Sequence, residues 1–188
     1  MYAEIRDSLK TGDLVLFSGG GSLWANIIER MSGPYHHVAM LVADATGGLG
    51  LWESTKDKAR HHGGKWGVQW TALSPRLAGE SSVYVRQLDR PMTDAELAAL
   101  AGLRREWDGR PYDADLIALL QAARDGQGVA ADALDAMFCS ELIAAAWERL
   151  GWLADRCAGH YTPTDFSSQA RTPLPAKGIG MGPEVQIA

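Results

Sequence analysis

The apolar residues of this chain change their spacing at Thr93, and that change constrains the fold more than any other feature. Upstream they fall in short runs bounded by turn residues. These are Asp13-Leu14-Val15-Leu16-Phe17 behind a Thr11-Gly12 turn, His37–Val42, Leu49–Glu53 beyond an Asp44–Gly48 turn, Trp66–Trp70 and Ser82–Arg86. Each has the length and composition of a strand. Downstream, Thr93-Asp94-Ala95-Glu96 has the pattern of a capping box ahead of Leu97, Leu100, Leu103 and Trp107, which share one helical face. A second helix is predicted over Ala114–Arg124. After Gly126-Gln127-Gly128 a third begins near Cys139, with the stripe Leu142, Ile143, Ala146, Trp147 and Leu150 and a stop at Gly151. One helix is predicted among the strands, Leu23–Met31, with Ser22 as its N-cap and Ser32-Gly33-Pro34 as its end. Strands first and helices later predict an α+β fold with helices packed on an antiparallel sheet.

The chain has 188 residues, which suits one domain over 1–188, with a core of about 11–166. Residues 167–188 form a tail with a short strand expected at Val185–Ile187. A net charge of −5 with no basic stripe argues against nucleic acid as a partner. Apolar runs such as Val38–Ala43 are too short to cross a membrane. Residues Met1–Asp7 have no apolar export segment, and two cysteines make no disulfide framework, so a reducing, cytoplasmic location is expected. His61-His62 and the Cys157/His160 pair fall short of a four-ligand zinc pattern, so no metal or other cofactor is expected. Ser18–Ser22 is rich in glycine but lacks the Lys-Ser/Thr of a phosphate loop. Of the seven tryptophans, Trp24, Trp52, Trp66 and Trp70 stand near polar candidates and are expected to line a cleft.

Chemistry concentrates at Cys139. A cysteine in the first turn of a helix meets free N–H groups and a partial positive charge, which favour the thiolate that attacks a carbonyl carbon. A cysteine so placed is more often a small core residue, so the partners decide. His37 begins a central strand and Glu53 closes the next one. In an antiparallel pair the start of one strand lies beside the end of the other, so His37 and Glu53 can be neighbours at one end of the sheet. A helix N-terminus docked there completes a Cys139–His37–Glu53 constellation. His36 competes as base, but strand alternation sends it to the opposite face from His37.

Five motifs occur in order: Gly12–Phe17, His37–Val42, Trp52-Glu53-Ser54, Gly109-Arg110-Pro111-Tyr112-Asp113 and Phe138-Cys139-Ser140-Glu141-Leu142-Ile143, with a closing Thr162-Pro163-Thr164-Asp165-Phe166. In this the chain resembles the circularly permuted branch of the NlpC/P60 papain-like superfamily, the permuted amidase group, in which the histidine strand precedes the cysteine helix. The resemblance implies a papain-like fold, with an antiparallel sheet or half-barrel against helices. It implies Cys139 as nucleophile, His37 as base and Glu53 as the third polar residue. Tyr112 matches the tyrosine of the family's Gly-x-Pro-Tyr motif and takes a substrate-positioning or oxyanion role. Trp24 and Ser140 are further candidates for substrate contact, and the Cys139 backbone N–H is the default oxyanion donor.

The expected activity is therefore that of a thiol hydrolase, a cysteine amidase or peptidase. It would cleave a small amide, a peptide or an acylated substrate through an acyl-enzyme. Two alternatives stand beside it: a lipid-directed acyltransferase or phospholipase using the same Cys–His pair, and a non-catalytic binding module.

Overall fold

The computed structural model of the protein describes residues 2–19, 23–55, 67–78, 82–112, 137–154, 158, 161–172 and 174–188. The expected helix at Ala114–Arg124, the Ser22 cap, Trp66, His61-His62, Cys157, His160 and the side chain of Trp24 lie outside the described residues.

Six strands form one antiparallel sheet: β1 (Leu14–Ser18), β2 (His37–Ala43), β3 (Leu49–Thr55), β4 (Gly67–Ala72), β5 (Ser82–Leu88) and β6 (Met181–Gln186). Their order across the sheet is β4-β3-β2-β1-β5-β6, and every pairing is antiparallel. The α-helices among the described residues are α1 (Tyr2–Ile5), α2 (Leu23–Ser32), α3 (Leu73–Leu77), α4 (Asp94–Trp107) and α5 (Cys139–Arg149). The α+β class expected from the sequence is what the chain adopts.

Alternation along the strands splits the core in two. Leu14, Leu16, Val38, Met40, Val42 and Trp52 face α5 and the buried side of α4. Val15, Phe17, Ala39, Leu41, Leu51, Val83 and Val85 face the other way, where Leu9 and Leu73 of α3 cover them. The central strands therefore read as unbroken apolar runs, because both faces are covered.

The strand limits differ by a few residues from those expected, and two of the differences matter for the site and the tail. Leu49–Glu53 runs on to Thr55, because Ser54 and Thr55 continue the ladder opposite Val68 and Gly67. Ser54 is buried, and its hydroxyl donates to the Met137 carbonyl at 2.5 Å. The tail strand is longer than expected because β6 pairs with β5 from Leu88 to Tyr84. The cleft expected for Trp52 is corrected as well. Trp52 is fully buried, stacked on Trp107 at 6.1 Å, and its indole N–H donates to Asp108 at 2.7 Å.

The capping box at Thr93 forms as expected. The Thr93 N–H donates to Glu96 at 2.7 Å, and the Glu96 N–H returns to the Thr93 hydroxyl at 3.3 Å. Glu96 also accepts from both terminal guanidinium nitrogens of Arg90, at 2.8 and 2.7 Å, and from the Trp152 indole at 2.7 Å. One carboxylate thus ties the start of α4 to the segment that follows α5. The Arg90 hydrogen bonds hold its pKa well below the usual carboxylate range. A carboxyl lowered in the folded state stabilises the protein above its unfolded pKa, and that contribution is lost as pH falls towards the folded value. Glu96→Gln is expected to lower stability at pH 7 by about 1–3 kcal/mol. The gap from wild type should narrow as pH drops below about 4.3, the usual glutamate value, when thermal unfolding is followed at pH 7, 4 and 3.

Candidate active site

His37 is the first residue of β2 and is 8% exposed. By alternation it sits on the same face as Phe17, its partner across β1, with the two rings 5.3 Å apart. Glu53 lies on β3 and has no exposure. The β2–β3 register pairs Met40 with Trp52 and Leu41 with Leu51. Continued, it sets Glu53 opposite Ala39, so Glu53 meets His37 along the diagonal rather than directly across. A diagonal neighbour on one face is within reach of long side chains. The His37 Nε2–Glu53 Oε2 distance is 2.6 Å. This contact leaves Nδ1 as the nitrogen free to address a substrate or a thiol.

Cys139 is the first residue of α5 and is a free, buried thiol, 1% exposed. The chain before it is pinned on both sides. Met137 donates its N–H to the Pro111 carbonyl at 3.0 Å and accepts from Ser54. The Phe138 N–H donates to the Glu141 carboxylate at 2.8 Å, closing the first turn of α5. Cys139 belongs to a helix on one face of the sheet and His37 to the other face. They meet at the end of β2, where the Cys139 side chain is the hydrogen-bonding and charge partner of His37. Burial disfavours the imidazolium. The charge and hydrogen bond of Cys139, followed by those of Glu53, outweigh it and push His37 up to about 9. The structure thus brings together the three residues singled out in the sequence.

His36 points elsewhere, with Nδ1 2.8 Å from Glu29 of α2, as alternation requires. Tyr112 is half-buried. It bridges to Met137 in parallel, and its ring stands 5.4 Å from Phe138, beside the approach to the thiol. Gly67 permits this arrangement: its φ is +125°, and a Cβ there would run into the Arg110 carbonyl. Ser140 is fully buried, and its hydroxyl has no partner among the described residues. It lies inside the core rather than on an open surface, so it is poorly placed for the substrate contact expected of it. Thr164, in the Thr162–Phe166 motif, accepts from the Tyr35 N–H at 3.4 Å and so braces the entry to β2.

One site residue was not anticipated. Arg76 of α3 is 5% exposed and donates its Nε–H to Glu53, 3.0 Å from Oε1 and 3.3 Å from Oε2. Its guanidinium lies 4.4 Å over the Phe17 ring. The five-residue helix that carries it, Leu73-Ser74-Pro75-Arg76-Leu77, has no amphipathic repeat long enough to read.

A separate cavity of about 240 Å³ is lined by Arg86, Trp147, Ser167, Leu174, Ile179 and Met181, and by none of Cys139, His37 and Glu53. Among the described residues no group of three or more His, Cys, Asp or Glu is arranged to hold a metal ion, and no helix is long and apolar enough to cross a membrane.

No family model matches this sequence, and no curated protein does. Among solved structures, the fold is similar to that of the metalloprotein yiiX from Escherichia coli O157:H7, DUF1105. The TM-score is 0.55 at 20% identity, over 78% of this chain and 68% of that one.

Proposed function

We propose that this chain is a thiol hydrolase that cleaves an amide or peptide bond through Cys139, His37 and Glu53, on a permuted papain-like fold of the NlpC/P60 kind. The observation that carries the reading is the buried line Cys139–His37–Glu53, in which His37 touches the thiol on one side and a carboxylate at 2.6 Å on the other. A core cysteine needs no such line. A nucleophile does, because the imidazole must both exchange a proton with sulfur and keep one orientation.

The cycle balances with these groups alone. The Cys139 thiolate attacks the carbonyl carbon. The oxygen takes the electron pair and is met by first-turn N–H groups of α5, which have no partner inside the helix. The carbonyl re-forms as the C–N bond breaks, and protonated His37 gives its proton to the leaving nitrogen. A thioester remains on Cys139. His37 then takes a proton from water, the hydroxide attacks the thioester, the acid leaves, and the thiolate is restored. Tyr112 flanks the segment that presents the thiol and is a positioning group for the acyl part.

The burial of Cys139 favours one competing reading, a non-catalytic module in which the thiol is packing. The two differ in reactivity. For the hydrolase, iodoacetamide alkylates Cys139 faster than Cys157 at neutral pH, and Cys139→Ala abolishes turnover of amide substrates. Equal, slow alkylation of both thiols, with no thioester seen by mass spectrometry after substrate is added, rejects the hydrolase. Glu53→Gln is expected to lower kcat by up to about 10⁴, the size of the effect when the orienting acid of a Ser-His-Asp triad is replaced by its amide.

The pH behaviour follows from His37. Its folded value is raised from 6.5 to about 9. The stability it contributes is fully present below 6.5 and is lost as pH rises through about 9. The general acid is lost over the same upper range, so kcat/KM is expected to fall on an alkaline limb near 9. An alkaline limb near 6.5, the unperturbed histidine value, would contradict this assignment.

A further inference from the structure

We propose that Arg76 is a positioning residue of this site, holding Glu53 as an oriented carboxylate so that the charge of His37 is directed at Cys139. The inference rests on the reading of Cys139 and His37 as the reacting pair. It adds a fourth member that the sequence motifs do not contain.

Four side chains from four elements close into a ring. Arg76 of α3 donates to Glu53 of β3, with Nε 3.0 Å from Oε1. Glu53 meets His37 of β2 at 2.6 Å. His37 lies 5.3 Å from the Phe17 ring of β1. Arg76 closes the ring by stacking on that same Phe17 at 4.4 Å. The phenyl ring thus spaces the guanidinium and the imidazole on one surface. Among the described residues, the titratable groups acting on His37 are Cys139 of α5 and Glu53, and β1 presents Phe17 to it.

Counting charges gives the role. Were Glu53 the lone counter-ion of His37, the imidazolium would be neutralised away from the sulfur, and a thiolate would be the surplus charge. Arg76 neutralises Glu53 instead. Glu53 then serves as an acceptor that fixes the ring, and the positive charge of His37 is left facing Cys139. Arginine suits the position because it stays ionised when buried, and its planar head both stacks and donates along a fixed direction. Stability alone gives little reason for the pair, since a buried ion pair is often no better than apolar residues of the same volume.

The test follows His37 directly by titrating its imidazole by NMR in the full chain. Cys139 is followed by its rate of iodoacetamide alkylation at pH 7. Arg76→Met removes one positive charge from beside Glu53, so the His37 midpoint is expected to rise by about one pH unit, in the lower part of the range for one nearby charge. Alkylation is expected to slow by about tenfold. Arg76→Gln keeps a donor without the charge and should give the same shift, which preserves the test if the methionine variant does not fold. Arg76→Lys restores the charge and should return the midpoint to the wild-type value. In a Glu53→Gln background the methionine change should move nothing further. An unchanged or lowered midpoint in a folded Arg76→Met or Arg76→Gln protein overturns the proposal. Neither readout uses turnover. A protein whose His37 responds but which cleaves nothing would lose the hydrolase assignment and keep this one. A protein that needs Cys139 for turnover but whose His37 ignores Arg76 would do the reverse.

Discussion

A carboxylate with no exposure to water has to be met by positive charge or by donors, or the chain around it will not close. Glu53 is such a group. Its position towards the end of β3, on the face shared with Phe17 and Leu51, would ordinarily be filled by an aliphatic side chain. The cost of placing a charge there is offset by Arg76 and His37 together, and each of them is fixed by a different element. The start of β2, the end of β3 and the short helix after β4 are therefore constrained to one relative placement. Phe17 serves as the common floor.

The Cys139 end is held by a second set of contacts. Ser54, the residue after Glu53, points to the opposite face of β3 and donates to Met137, two residues before Cys139. Adjacent residues of one strand thus fix His37 through one face and the approach to the Cys139 thiol through the other. This is how a histidine on one face and a cysteine from a helix on the other come to meet at a strand end. The strand period of two supplies both directions.

Much of this was legible in the sequence. The change of apolar spacing at Thr93 separates sheet from helices. His37, Glu53 and Cys139 stand at positions that follow from antiparallel pairing and from a helix start. The diagonal offset of His37 and Glu53 was not legible, because it depends on register, and continuous apolar runs covered on both faces leave register unmarked. Arg76 was hidden for another reason. A five-residue helix containing Pro75 has no periodicity, and an arginine in a polar-looking segment reads as solvated until its carboxylate is placed beside it. Trp52 was misplaced because an indole next to Glu53 suggests a cleft, whereas alternation points it to the opposite face, onto Trp107. Strand parity had already settled that question.

The tryptophans have a different task. Trp147 of α5 is fully buried and makes edge contacts with Trp152 at 5.6 Å and with Phe166 at 5.8 Å. Trp152 is tied by its indole to Glu96 at the start of α4, and Trp107 at the end of α4 stacks on Trp52 of β3. The aromatic residues therefore connect α5 to α4, and α4 back to the strand that carries Glu53. Aromatic pairs bury large areas and favour particular geometries, edge to face or offset-stacked. The first residue of α5 can then hold its place at the end of β2, although Cys139 and His37 are joined to the core through opposite faces of the sheet. Trp147, Trp152, Trp107 and Trp52 thus form a run of contacts from α5 through α4 to the strand that carries Glu53.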